Sequence, residues 1–147
     1  MIERLLYRLL GREKESKQPN CYGFALFQFG VQPDIFRDPD KIWDDFEFKG
    51  LLSPAQSVAE NVMFLGKDLP VIDPSEPELI AFLDVGKYIG GSDVVHVIAN
   101  RPDANGNILH RSDYGKTIES IPLDDVIRTH IIIRRHMAVG FSRKRRL

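Results

Sequence analysis

The sequence predicts an α+β domain in which N-terminal helices pack on an antiparallel β-sheet of about five strands. Two observations predict this class. Helical spacing and capped helix starts dominate up to Pro77, and short, β-branched runs take over after it. Within those runs Asn105-Gly106 is a strong hairpin signal, which joins neighbouring strands antiparallel. At 147 residues with 43% hydrophobic content the chain is long enough for one domain, 1–147, with a core that needs no staples.

At the N-terminus Ile2, Leu5, Leu6, Leu9 and Leu10 fall at helical spacing and predict a short amphipathic helix, followed by a charged connector to Lys17. Glu3, Arg4 and Arg8 interrupt the apolar run, so it lacks the pattern of a signal peptide. The expected location is the cytoplasm, or a destination reached by a non-classical or specialised export route. No window has the length and apolarity of an integral membrane segment. Pro19 and Asn20 mark the start of a second helix, Cys21 to Phe29, apolar nearly all round and stopped by Gly30. This reads as a buried central helix. Gly23 inside it costs about 1 kcal/mol relative to alanine, acceptable where another segment approaches the backbone closely.

Residues 31–52 read as irregular, with Phe36, Trp43, Phe46 and Phe48 as packing residues. Ser53-Pro54-Ala55-Gln56 has the composition of a capped helix start, running to near Gly66, and Pro70, Pro74 and Pro77 mark a linker. Strands are predicted at 78–84, 93–100, 107–112, 117–121 and 130–135, with a helical turn over Leu123 to Arg128. His130 and His136 then fall at strand ends on the surface. Residues 140–147, with Arg143-Lys144-Arg145-Arg146, read as a flexible basic tail.

A net charge of −1 provides no general attraction to nucleic acid or anionic lipid. Cys21 is the only cysteine, which excludes an internal disulfide and a cysteine pair for zinc, and no metal or cofactor is expected. A thiol at a helix N-terminus sits beside unpaired N–H groups and the positive end of the helix dipole, both of which favour thiolate. A base is available in Val94-Val95-His96-Val97-Ile98-Ala99, where histidine interrupts an apolar strand that would hold its ring rigidly. If Asn105-Gly106 turns the chain, His110 lies on the strand beside His96 and can orient its imidazole. Gln18, Asn20 and Tyr22, which flank the thiol, are the candidate substrate-binding residues.

Asn20-Cys21-Tyr22-Gly23-Phe24, His96-Val97-Ile98-Ala99 and Leu109-His110, in that order, resemble the nucleophile, base and third polar residue of the NlpC-type peptidases. These are papain-like cysteine hydrolases of bacterial cell-wall peptides. The resemblance spans roughly residues 18 to 122. Tyr22 replaces the family's usual serine, and Pro77-Glu78 stands where Gly-Asp is usual. The resemblance implies a papain-like fold and a peptide or peptidoglycan-fragment substrate, with Cys21 attacking an amide carbonyl and His96 transferring the proton. A transferase or deamidase acting on a protein, and an inactive papain-like binding module, are the alternatives.

Overall fold

The computed structural model describes residues 18–52, 71–72, 77–84, 94–112 and 117–144. The helices expected near residues 2–10 and 53–66 lie outside the described residues. The fold is mixed α+β. Helix α1 is Cys21–Gln28, followed by a 3₁₀ turn at Pro39–Lys41 and a single helical turn, α2, at Ile42–Asp45. The strands are β1 (Phe46–Leu52), β2 (Val71–Ile72), β3 (Leu79–Leu83), β4 (Val94–Ala99), β5 (Asn107–Arg111), β6 (Ile118–Pro122) and β7 (Met137–Arg143). Helix α3 (Leu123–Arg128) runs on into a π-helical turn, Thr129–Ile133.

The main sheet has the order β2-β1-β7-β3-β4, antiparallel except for the β1–β2 pair. Strand β3 is buried along its whole length, which is why it reads as an unbroken apolar run rather than an alternating one. Leu79, Ala81 and Leu83 point to one face, where they meet Tyr22, Ala25 and Leu26 of α1 together with Val139 and Phe141 of β7. Ile80 and Phe82 point to the other, where they meet Val126, Ile127 and Ile131 of α3 and the π turn. A separate two-stranded sheet, β5–β6, lies beside β4.

Several sequence expectations are corrected. Residues 130–135 are not a strand. The three isoleucines continue α3 as a π turn, closed by Arg134 N–H donating to the Thr129 carbonyl at 2.9 Å. The final strand is instead β7, in the segment read partly as a flexible tail; β3 pairs with it along its length, and Arg143 donates to both carboxylate oxygens of Glu78 at 2.8 Å. Residues 46–52, read as irregular, form β1 against β7. The Asn105-Gly106 turn forms, with Gly106 at φ +80° and Asp103 Oδ1 accepting from the Asn105 and Asn107 N–H groups. It does not close a β4–β5 ladder; β5 pairs instead with β6 in a separate sheet.

The close approach that the glycine in α1 implies is present. A Cβ at Gly23 would overlap the backbone carbonyl of Ile35, in the loop that crosses the helix start. Because backbone cannot yield as a side chain does, Gly23→Ala is expected to lower unfolding stability by about 3 kcal/mol or more. The helix propensity of alanine alone would raise it by about 1 kcal/mol. Urea unfolding of the two proteins, read by circular dichroism, distinguishes the signs.

Candidate active site

The start of α1 is built by a side chain that works in three directions. Asn20 accepts through Oδ1 from the Gly23 N–H at 3.0 Å and from the Arg37 N–H at 3.2 Å, and donates through Nδ2 to the Arg37 carbonyl at 2.7 Å. It therefore caps the helix and ties it to the crossing loop. Cys21 follows as the first helical residue, half-buried, and packs against the cluster on the α1 face. No acidic residue occupies the first turn to offset the positive end of the helix.

Tyr22 is fully buried, and its hydroxyl donates to Asp45 at 2.7 Å. Arg37 holds the same carboxylate with two hydrogen bonds of 2.6 Å. Asn20 and Tyr22, expected to bind substrate, both direct their side chains into the scaffold that holds α1. Gln18 is exposed on the approach to the helix. Burial, then the adjoining Asp45 carboxylate, pushes the Tyr22 hydroxyl far above its ordinary range, and the Arg37 hydrogen bonds hold Asp45 below its own.

His96 and His110, chosen from the sequence as base and orienting residue, are brought together. His96 Nε2 lies 3.0 Å from His110 Nδ1, with the two rings nearly perpendicular. One of the two nitrogens donates, and the heavy-atom geometry alone allows either tautomer. His96 is 2% exposed and stacks parallel to His130 at 5.3 Å between ring centroids. His130 in turn stacks on Phe82 at 4.2 Å. The imidazole of His96 is thus fixed on two sides, as a proton-transfer group must be.

Strand β4 carries a β-bulge beside His96. Phe82 pairs with His96 and Leu83 with Val94, so Val95 is the extra residue, left 41% exposed. After the bulge the alternation sends Val97 to the α1 face and His96, with Ile98, to the face of Phe82. Before it, Val94 turns to the α1 face, where Cys21 also packs. Cys21 and His96 therefore belong to opposite faces of β4, and the bulge breaks the strand's alternation between Val94 and His96.

Two residues were missed as part of this site. His130, expected on the surface, is 6% exposed, and its Nδ1 shares a hydrogen bond of 2.9 Å with His136 Nδ1. All four histidines of the chain thus form one contact series, His110–His96–His130–His136. A cavity of about 310 Å³ opens onto it, lined also by Ser112, Glu119, Thr129 and Arg134. Among the described residues no group of three or more His, Cys, Asp or Glu is placed to hold a metal ion. Nor is any described helix long and apolar enough to cross a membrane. No protein-family model, curated protein or solved structure matches the chain.

The Tyr22–Asp45–Arg37 cluster predicts an alkaline limit. A hydroxyl whose folded pKa is raised contributes stability that is complete below its unfolded value, 10.0, and lost as the pH climbs above it. Denaturant midpoints are expected to fall between pH 9 and pH 11 more steeply for the native chain than for Tyr22→Phe. That variant loses about 1.5–3 kcal/mol at neutral pH with its hydrogen bond to the carboxylate.

Proposed function

We propose that the chain is a papain-like cysteine hydrolase that cleaves an amide bond, with a cell-wall (peptidoglycan) peptide as substrate. The observation that carries this reading is the 3.0 Å His96–His110 hydrogen bond, on a strand against which the Cys21 helix is packed. A buried imidazole oriented by a second polar group, on a strand that packs against the helix bearing the thiol, is the outline from which an activated nucleophile is built.

In this reading the Cys21 thiolate adds to the carbonyl carbon and the N–H groups at the start of α1 stabilise the oxyanion. Collapse breaks the C–N bond and leaves a thioester, while the imidazolium of His96 gives its proton to the departing amine. Water then loses a proton to His96 and attacks the thioester, releasing the carboxylic acid and restoring the thiol and imidazole. His110 touches neither substrate nor thiol and acts as a positioning residue. Such a substrate also requires that the chain reach the cell wall.

A second reading, a binding module without turnover, is favoured by one observation: Cys21 packs on the α1 face and His96 on the other. In the first reading the thiol meets the imidazole across the bulge at Val95. In the second, Cys21 is core packing and the histidine-lined cavity receives a ligand.

Iodoacetamide labelling of the folded chain separates the two. A hydrolase is expected to label at Cys21 quickly and to keep doing so below pH 7, whereas core packing gives labelling only on unfolding. On soluble stem peptides, with new amine as the readout, Cys21→Ser and His96→Ala are expected to reduce turnover by roughly 1,000-fold or more. His110→Ala should cost less, about 10- to 100-fold, and His110→Asn should recover part of it.

A further inference from the structure

The His96–His110 hydrogen bond has a direction, and the direction determines whether His96 can serve as a base. If His110 Nδ1 carries the proton, it donates to His96 Nε2; the neutral ring of His96 then carries its own proton on Nδ1 and has no lone pair left to offer. If His96 Nε2 carries the proton, it donates to His110 Nδ1, and His96 Nδ1 presents a lone pair. Only the second arrangement also accommodates a doubly protonated His96, because His110 Nδ1 must then accept.

We infer that Glu119 selects the second arrangement, as the positioning residue that fixes the His110 tautomer. This rests on the hydrolase reading for its catalytic meaning, though not for its geometry. Glu119 Oε2 stands 3.4 Å from His110 Nε2, whose ring is largely enclosed, its side chain only 11% exposed. That nitrogen is buried and has no hydrogen bond of ordinary geometry, so the carboxylate is the acceptor at hand for a proton on it. A carboxylate accepts and cannot donate, which favours Nε2–H on His110 and leaves Nδ1 as the acceptor for His96.

The fold holds this arrangement in place. His110 and Glu119 are directly opposed in the β5–β6 ladder. The ladder is clamped at the end where β5 leads into β6 by the Ser112 N–H donating to the Thr117 carbonyl at 2.7 Å, and by the two hydroxyls of those residues, also 2.7 Å apart. The clamp fixes the register, and a slip of one residue would turn Glu119 to the other face. Position 119 is at the surface and its side chain is 51% exposed, so substitution there leaves the core untouched. The same exposure limits the size of its effect.

The test is two-bond ¹H–¹⁵N spectroscopy of the imidazoles in the full-length ¹⁵N-labelled protein, above the pH at which the rings titrate. The native chain is expected to show Nε2–H on both His96 and His110. Glu119→Gln, whose amide oxygen still accepts, keeps that pattern. Glu119→Lys, whose ammonium only donates, shifts His110 to Nδ1–H, and His96 follows. A native His110 found as Nδ1–H overturns the inference, as does a Glu119→Lys spectrum with His110 unchanged. In the same samples Cys21 labelling at pH 6 is expected to slow by about two- to fivefold in Glu119→Lys and to stay near native in Glu119→Gln. If the tautomers respond as expected while Cys21 stays inert in every protein, the tautomer assignment stands and the hydrolase reading fails.

Discussion

Burial of β3 on both faces is the constraint from which the other parts take their places. A strand with apolar side chains alternately above and below needs two covers, and the chain provides different ones. Helix α1 lies on one face, with α3 and its π turn on the other. Because β4 pairs with β3 on either side of the bulge at Val95, the same constraint determines where the paired β4 side chains go. His96 faces the second cover because it is opposite Phe82, and that cover supplies His130. A site with one imidazole stacked on another follows from the way the core is layered.

The polar groups near this core are grouped rather than scattered. Tyr22, Asp45 and Arg37 satisfy one another beside α1, and Asn20 ties the crossing loop to the same helix start. On the other face the histidines contact one another in series. Neutral imidazoles suit such a place, since each can donate from one nitrogen and accept at the other without the desolvation cost of a charge. The two groupings differ in kind: the first binds a charged pair rigidly, and the second consists of two hydrogen-bonded imidazole pairs joined by a ring stack.

Much of the sheet was legible in the sequence, and the parts that were not share a cause. The unbroken run Leu79 to Leu83 and the β-branched run around His96 announced β3 and β4, and Asn105-Gly106 placed His110 near His96 although β5 pairs elsewhere. Cys21 at a capped helix start was equally plain, because caps and apolar runs are local signals. Strand β7 was hidden by its glycine and its basic end, whose order comes from Glu78 and β3, distant in sequence. Ile131-Ile132-Ile133 drew a strand assignment from β-branched composition, whereas continuity with α3 makes it a π turn. His130 and His136 were misplaced with it. Tyr22 beside the thiol looked like a substrate contact until Asp45, twenty-three residues away, claimed its hydroxyl. The face that each side chain takes depends on the bulge at Val95, which no periodicity reveals.

That bulge also bears on how copies of the chain avoid one another. Among the described residues β4 is the last strand of the main sheet, and an outer strand with an exposed β-branched residue invites pairing with a neighbouring chain. Val95, one such residue, stands at the point where the ladder loses its register, and a bulge there increases the local twist. Such a twist makes the border harder for a second flat strand to follow. The irregularity that turns Val94 and His96 to different faces thus also makes the sheet's margin a poor template for aggregation.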